Sequence, residues 1–561
     1  MSMRAVRATI ALGLGLLAAL AGVGPATAVD SGEPVRLAIA VPITVPDEPT
    51  GLISAESLEQ YTRPLGLLTR QLDAVIDRPV AIGIDPMIIV SIRILGMSAP
   101  ETALTWLRRL ENAGNQTFPL TYADSDLTLG TQSGSGRVLA PESLDFAIDP
   151  ALFAPPDDTT ATPTPSPTPT PTPTQEPDEP VTPSLPTTEE LLDWPYSLTG
   201  LAWPRDNTVV ASDLTAIAGS DYETTIVASG NLNRDAGAGS TAEVNGERLL
   251  VSDDAVSAAL RAAMHASGTE EQQATNAALS QAIAAAGLAQ SGTRATLFAT
   301  LDRVIPLGGS GVAQTITSLL TNPAVTLIPL SQAMAEPASE ATVADKAQPV
   351  ERVGPMQRML EAESADRQFA SIAEDPAAIT SDRRLRLLAV ASNSWVPSPV
   401  GWTDATNEYL ADSVDLRDSV QVVESSTVNF LAQAADLRIA VSNELDQAVT
   451  VFITIRPDTA LLAVEDQRVE LTLEPNSQGT GPVPVSAISN GTVDITVTLA
   501  SETGVAIGSP NRTEINVQAG WETPIVLVIA GTVLVVFTVG LVRNILRRRR
   551  QSAEGDQATD D

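Results

Sequence analysis

Residues 524–542 read PIVLVIAGTVLVVFTVGLV and decide how the whole chain is arranged. Such a stretch of 19 uncharged residues makes a helix of roughly 28 Å, close to the thickness of the hydrocarbon core of a bilayer. Arg543 and the arginines at 547–550 follow at once, which is a stop-transfer pattern. The stretch therefore predicts a single transmembrane helix at 524–542 and a cytoplasmic Arg-rich tail at 543–561.

The opposite end of the chain, residues 1–28, predicts a secretory signal peptide. Arg4 and Arg7 form a basic start, and the apolar run at 10–23 is too short for a membrane-spanning helix. Ala26-Thr27-Ala28 supplies the small residues that signal peptidase needs. Together the two ends predict a single-pass protein of the cell membrane, with its N-terminal bulk extracellular and its C-terminus cytoplasmic.

Composition excludes several classes of protein. The 561 residues hold 33 basic and 68 acidic side chains, for a net charge of −35, and a chain so acidic is repelled by phosphate backbones. The absence of cysteine removes disulfides and thiolate metal sites, and the single histidine, His265, rules out multi-histidine sites. We therefore expect no nucleic-acid partner, no cofactor and no such metal site.

Residues 155–187 form the clearest internal boundary. This segment holds 12 prolines and 10 threonines, so it forms neither a helix nor a strand ladder and is expected to be an extended, Thr/Pro-rich disordered segment. An O-glycosylated stalk and a bare spacer are both consistent with such a composition.

On either side of that segment, residues 29–154 and 188–330 alternate apolar β-like runs with helical ones. Strands are expected at 35–44, 80–84 and 144–148, for example, and a helix at 57–76. This alternation is typical of parallel βα units and predicts one degenerate (β/α) barrel-like region, with the Thr/Pro-rich segment inserted in a loop. An open sheet is the alternative, and residues 29–154 as a separate module is another.

The rest of the ectodomain changes character twice. Residues 331–352 read as a low-complexity loop and 353–418 as a helical connector. Residues 419–520 then alternate with a period of two, as in VTVFITI at 449–455, and Asn490-Gly491 is a strong hairpin signal. These short strands predict an immunoglobulin-like β-sandwich without a disulfide, so the fold class is multidomain, α/β plus all-β.

Several short motifs carry a resemblance to a known family. They are Ser394-Trp395, Ser442-Asn443, Ile488-Ser489-Asn490-Gly491 and Gly504-Val505-Ala506-Ile507-Gly508. In this order they resemble a family of uncharacterised actinobacterial envelope proteins, over about residues 380–550 and only in fragments from 35 to 330. That resemblance implies no established activity. It implies a link to cell-wall precursor export, because genes of the family often lie beside that of the lipid II flippase.

The barrel fragments also look distantly like the irregular barrels of polysaccharide deacetylases and glycosidases. The deacetylase chemistry of that resemblance needs an Asp and two His for its metal, which one histidine cannot supply. His265 lies near the end of a predicted helix, where a capping or surface role is expected. A Ser-Lys dyad would need Lys346, the only lysine, which lies in the low-complexity loop.

Carboxylate chemistry remains open, because a glycosidase needs only two acids. Asp85 and Asp149 each follow an apolar run, where barrel sites form, and Asp124 and Asp126 share one face if their strand continues. These four are the candidate catalytic residues, and Asp124 with Asp126 is also a candidate divalent-cation site. The structural alternative is that each Asp ends a strand or caps a helix.

The sequence thus favours a non-catalytic binding or scaffold protein of the cell envelope, linked to cell-wall polymer or precursor processes. The expected partners are the membrane, through one C-terminal helix, and a cell-wall polymer or another envelope protein. The alternative function is a membrane-tethered carbohydrate-active hydrolase that uses paired carboxylates.

Overall fold

The computed structural model describes residues 33–154, 185–290, 294–303, 310–424, 428–518 and 522–553. The expected signal peptide and most of the Thr/Pro-rich segment lie outside the described residues, as does the end of the expected cytoplasmic tail.

The first part of the chain alternates strands and helices, as its apolar runs predict. Before the Thr/Pro-rich segment these elements are β1 (Val35–Ile43), α1 (Ala55–Thr62), α2 (Leu67–Val75), β2 (Ala81–Ile84), α3 (Pro86–Ile94), α4 (Glu101–Glu111), β3 (Thr117–Pro119) and α5 (Leu127–Gly130). After it they are α6 (Thr188–Leu192), β4 (Leu201–Ala202), α7 (Ala211–Ala218), β5 (Thr224–Ala228), β6 (Leu232–Asn233), β7 (Thr241–Val244), β8 (Glu247–Ser252), α8 (Asp254–His265), α9 (Thr269–Ala289), β9 (Thr296–Thr300), α10 (Ser310–Thr321), β10 (Val325–Leu327), α11 (Leu330–Met334), β11 (Ser339–Glu340) and β12 (Thr342–Val343).

These strands form two half-barrel sheets, apart from β6 and β12, which form an antiparallel pair of their own. In the first, β1 pairs in parallel with β2, β9 and β10, and β2 pairs in parallel with β3. The second has the order β11-β7-β8-β5-β4, in which β4, β5 and β8 are parallel and β7 is antiparallel to β8. Strand β1 is apolar almost throughout because both of its faces are covered, as is usual for a parallel strand.

The two half-barrel sheets share an apolar cluster. Its members from the first sheet include Ala38 and Phe118, and those from the second include Leu201, Ile226 and Leu250. All five side chains are almost completely buried. The facing sides of the two sheets therefore pack against each other through one set of apolar side chains, and this packing fixes the positions of their strand ends relative to each other.

Two predicted elements in this part differ from the structure. The helix expected at 57–76 is two helices, α1 and α2. Pro64 has no backbone N–H with which to continue a helix, and Leu65 adopts a left-handed φ of 65°, so the chain turns between the two helices. The strand expected at 144–148 is wrong: the segment closes a tight turn, in which the N–H of Ala147 donates to the carbonyl of Leu144 at 3.0 Å.

Three helices connect this part to the C-terminal region. They are α12 (Val350–Ala370), α13 (Pro376–Val390) and α14 (Pro399–Asp418). Asp366 on α12 is fully buried, and its carboxylate forms ion pairs with Arg383 at 2.9 Å and Arg417 at 2.8 Å. A charge network therefore joins all three helices, since Arg383 lies on α13 and Arg417 on α14.

Residues 420–517, here called the two-sheet region, contain nine described strands in two sheets. They are β13 (Val420–Val422), β14 (Val428–Phe430), β15 (Ala434–Asn443), β16 (Val449–Pro457), β17 (Leu462–Val464), β18 (Val469–Leu473), β19 (Ser477–Ala487), β20 (Gly491–Ala500) and β21 (Ala506–Val517). The sheets have the orders β13-β15-β19-β17 and β14-β21-β20-β16-β18. All pairs are antiparallel except β14 with β21.

The period-two pattern places the core of this region as predicted. Val451 and Ile453 on β16 are fully buried, whereas Phe452 between them is half-buried on the other face. The hairpin expected at Asn490-Gly491 is wrong, because β19 and β20, which the turn joins, belong to different sheets. The turn therefore carries the chain from one sheet to the other.

The last described element is α15 (Glu522–Ala553). Within it, Val526–Arg549 is long and apolar enough, by length and composition, to cross a membrane, and it is the only such helix among the described residues. It fits a single-pass membrane anchor and overlaps the helix predicted at 524–542.

Candidate functional site

A cavity of about 330 Å³ lies beyond the carboxyl ends of β4 and β9. Trp203 directly follows β4 and Leu301 directly follows β9, so parallel strands of both half-barrel sheets deliver residues to it. Ligand sites of α/β proteins lie at this edge. The cavity is lined by Trp203, Pro204, Arg205, Asp206, Arg261, His265, Leu301, Asp302, Arg303, Asn393, Val396 and Pro397.

Three arginines from separate segments converge on the cavity: Arg205 after β4, Arg261 on α8 and Arg303 after β9. Arg261 forms ion pairs with both carboxylates of the lining, Asp302 at 2.9 Å and Asp206. The lining therefore carries three guanidinium groups and two carboxylates, and Arg261 engages both of the latter.

Arg303 is the most constrained of the three. Its guanidinium lies over the ring of Trp203, 4.1 Å from the ring centre, and its Nη2 donates to the carbonyl of Trp203 at 2.6 Å. Its Nη1 is buried and has no hydrogen-bond acceptor among the described residues. Asn393 Oδ1 is also buried, and no described residue donates a hydrogen bond to it. Buried polar groups without a protein partner are costly, and a bound ligand or a water molecule can satisfy them.

Asp124 lies behind Arg303, whose Nε is 3.2 Å from Asp124 Oδ1. Asp124 and Ala123 both adopt left-handed backbone conformations, with φ of 45° and 56°, which is unfavourable for residues other than glycine. Asn393 Nδ2 donates to the carbonyl of Asp124 at 2.9 Å and holds this turn. Burial raises the pKa of Asp124 to about 6, although the charge of Arg303 opposes the rise.

Asp85 stabilises the local fold rather than facing the cavity. It is buried after β2, where its carboxylate caps α3 by accepting from the N–H of Met87 at 2.9 Å. Burial, with the nearby charge of Asp124 adding to it, raises the pKa of Asp85 well above its usual value. Asp85 therefore lies near enough to Asp124 to feel its charge, a proximity that the sequence did not predict.

Asp126 is also buried, but its oxygens are occupied by protein groups. Gln348 Nε2 donates to Oδ2 at 2.8 Å, Thr128 donates to Oδ1 at 3.0 Å, and Arg352 Nη1 lies 3.2 Å from Oδ2. The strand expected to present Asp124 and Asp126 on one face does not continue through them. No group of three or more metal-binding side chains occurs in the described part of the chain.

Comparison with known proteins identifies the family. A profile described as "Family of unknown function (DUF6049)" matches residues 26–557, nearly the whole chain. The chain belongs to this family. A comparison with curated protein sequences gives no match.

Similarities to solved structures are weak for this member of the family. Native alpha-2-macroglobulin of Escherichia coli is 17% identical over 18% of this chain, with a TM-score of 0.15, and the match spans only 7% of that protein's chain. The alpha-amylase AmyC of Thermotoga maritima is 9% identical, with a TM-score of 0.42, over 69% of this chain and 93% of its own. Similarities at these scores support no conclusion about this family member.

Asp149 and His265 differ in their position relative to the cavity. Asp149 is exposed and caps a short turn by accepting from the N–H of Ala151 at 2.9 Å. His265 is the last residue of α8, as expected from its position, and it also lines the cavity, with Nε2 3.9 Å from Asp302 Oδ2.

The sequence reasoning missed the arginines and Asn393. A signal for two of the arginines was present: Trp203-Pro204-Arg205-Asp206 and Asp302-Arg303 follow apolar runs in the same way as Asp85 does. Asn393 gave no such signal, because it lies between α13 and α14 and reaches the cavity only through the tertiary fold.

Proposed function

We propose that this chain is a membrane-anchored, extracytoplasmic binding protein of the cell envelope, whose cavity binds an anionic segment of a wall polymer or of its precursor. In this proposal the half-barrel sheets are a degenerate barrel, the two-sheet region is an immunoglobulin-like sandwich, and α15 crosses the membrane once with its arginines in the cytoplasm.

The observation that carries the proposal is the convergence of Arg205, Arg261 and Arg303 on one cavity in a chain of net charge −35. Arginine is the residue best suited to carboxylate and phosphate, because its planar group donates two parallel hydrogen bonds. The unused Nη1 of Arg303 supplies a donor. The volume of about 330 Å³ is at the lower end of the range of small-molecule sites, which suits one short segment of a polymer.

The carboxylates of the site support binding rather than hydrolysis. A glycosidase needs two acids that flank the bond to be cleaved. Asp206 and Asp302 line the cavity, but both are paired with Arg261. Asp124 lies behind Arg303, and Asp126 is occupied by Gln348 and Arg352. Each of these four carboxylates therefore forms an ion pair with an arginine of the protein.

The test is photo-crosslinking in cells that carry the full chain with a photoreactive residue at position 396. Val396 lines the cavity, whereas Val400, four residues later, does not and is 75% exposed, so position 400 is the matched control. We expect a saccharide-containing adduct from position 396 only, and a strongly reduced yield when Arg303→Gln is combined with it. Equal yields from 396 and 400 would contradict a ligand site in the cavity.

A second variant separates binding from hydrolysis. Asp124→Asn removes a carboxylate behind the cavity whose pKa, raised by burial to about 6, is suited to proton transfer near neutral pH. A binding protein retains its cellular function with this change, whereas a hydrolase dependent on Asp124 loses about 10²–10⁴-fold in activity. Complementation of a deletion strain measures the difference, with Asp149→Asn as the control.

A further inference from the structure

The two ends of the two-sheet region differ in charge. The helix-side end, from which the chain leaves for α15, consists of the loops 431–433, 458–461 and 488–490, and these contain one charged residue, Asp458. The opposite end consists of the loops 444–448, 474–476 and 501–505, which contain four acids and no basic residue: Glu444, Asp446, Glu474 and Glu502. In so acidic a chain, a helix-side end whose loops hold a single charged residue is distinctive.

Two large apolar side chains project from the helix-side end. Leu431 is 67% exposed and Ile488 is 56% exposed. Exposed large hydrophobic residues also occur elsewhere in the chain, for example Leu65 at 78%, so exposure alone assigns no role. The position of Leu431 and Ile488 relative to α15 provides the second observation.

The helix-side end is tied closely to the start of α15. Strand β21 ends at Val517 and α15 begins at Glu522, so four residues lie between them. Fully extended, that link spans at most about 18 Å. Phe430 pairs with Val517, and the N–H of Gln518 donates to the carbonyl of Phe430 at 2.8 Å. Leu431 is therefore next to the residue at which the chain departs.

Ile488 lies at the same end. Its N–H donates to the carbonyl of Leu461 at 2.8 Å, and Gly491, three residues later, pairs with Val517. The headgroup layer on each side of a bilayer is about 5–8 Å thick. A short link to a membrane-spanning helix consequently holds both side chains within reach of that layer.

We propose that the helix-side end of the two-sheet region docks on the outer lipid interface, with Leu431 and Ile488 inserted among the headgroups. This inference rests on the proposed function only in requiring that α15 crosses the membrane. Apolar side chains at this depth bind by burial of hydrocarbon. Because the chain has a net charge of −35 and Asp458 is the charged residue of these loops, we expect docking to need no anionic lipid.

The absence of native cysteine allows a direct test. The full chain is reconstituted in zwitterionic lipid nanodiscs, with one cysteine, introduced as Leu431→Cys or Ile488→Cys, carrying an environment-sensitive fluorophore. Nitroxide-bearing lipids then report proximity to the bilayer. Glu502→Cys, exposed at the opposite end about 30 Å away along the strands, is the matched control. Val535→Cys in α15 reports insertion of the helix itself.

We expect quenching at positions 431 and 488 to exceed that at 502 several-fold, without added anionic lipid. Quenching at 535 but no more at 431 and 488 than at 502 would overturn the docking inference and leave the anchor intact. Absence of quenching at 535 would overturn both. In a second experiment the fluorophore is placed at Gln433→Cys, in the natural background and together with Leu431→Asp and Ile488→Asp. The two aspartates should abolish the quenching of this fluorophore. Unchanged quenching would show that these two side chains do not hold the contact.

Discussion

The part of the chain at 35–418 buries charged side chains among its apolar ones, whereas the two-sheet region buries apolar and neutral polar side chains. Asp85, Asp124, Asp126 and Asp366 are all at most 3% exposed. Among the described residues of 420–517, the buried positions are apolar or neutral polar, and none is charged. The first part therefore depends on specific partners from distant segments of the chain, whereas the second depends on the alternation of apolar and polar residues along its strands.

The largest effect is expected where a buried charge loses its partner. Asp366→Ala leaves the guanidinium of Arg383, which is 4% exposed, without its carboxylate in the interior of the three-helix connector. Removal of one member of a buried pair costs about 3–5 kcal/mol. We expect that loss in the free energy of unfolding of the full chain, measured by denaturant titration.

The matched control is Asp382→Ala on the same helix bundle. Asp382 pairs with Arg386 one turn away at 2.8 Å, with both side chains about one-third exposed. Exposed pairs of this kind contribute about 0.3–0.5 kcal/mol. Similar losses from the two variants would remove the distinction between buried and exposed charge in this part of the chain.

The next effect depends on pH. Burial raises the pKa of Asp124 to about 6 from an unfolded value near 3.9, so the folded chain binds the proton more tightly. The stabilisation of the folded chain by this tighter proton binding is present below pH about 4 and is lost as the pH rises through about 6. Asp124→Asn does not titrate. We therefore expect the stability of the natural chain relative to this variant to fall by about 2 kcal/mol between pH 4 and 7.

Paired denaturant titrations of the two chains across that range measure the effect. Asp85 is present in both chains, so the part of its raised pKa that comes from burial, which is the largest cause, cancels in the difference. A difference that does not change with pH would mean that Asp124 titrates in the folded chain as it does in the unfolded one.

The same contrast explains which features could be predicted from the sequence. Alternation at 449–455 predicted the buried face of β16, because side chains of a strand alternate without reference to any other segment. Asn490-Gly491 predicted a turn but not its partners, since the turn residues carry no information on which sheet each flanking strand joins. The choice of sheet depends on packing across the whole region.

The site divides in a similar way. Asp85 could be placed at the end of a strand because an apolar run and the acid that follows it are both local features. The contacts of Gln348 and Arg352 with the carboxylate of Asp126 could not be predicted, since those residues lie more than 200 positions away in the sequence. Whether a buried carboxylate is free or already paired is decided by such long-range contacts.

The smallest net effect is expected from a compensated change in the two-sheet region. Ile453 is fully buried, and a Cβ added at Gly481 on β19 would lie 2.2 Å from its Cδ1, with other atoms of the site at 3.6 Å or more. Gly481→Ala alone should cost about 1–3 kcal/mol through overpacking. Ile453→Val alone should cost about 0.5–1.5 kcal/mol through the space left by Cδ1. Together, the new methyl group occupies that space, so the double variant should unfold within about 0.5 kcal/mol of the natural chain. A double-mutant cycle in denaturant measures the coupling, and additive losses would mean that the core of this region depends on more than the filling of volume.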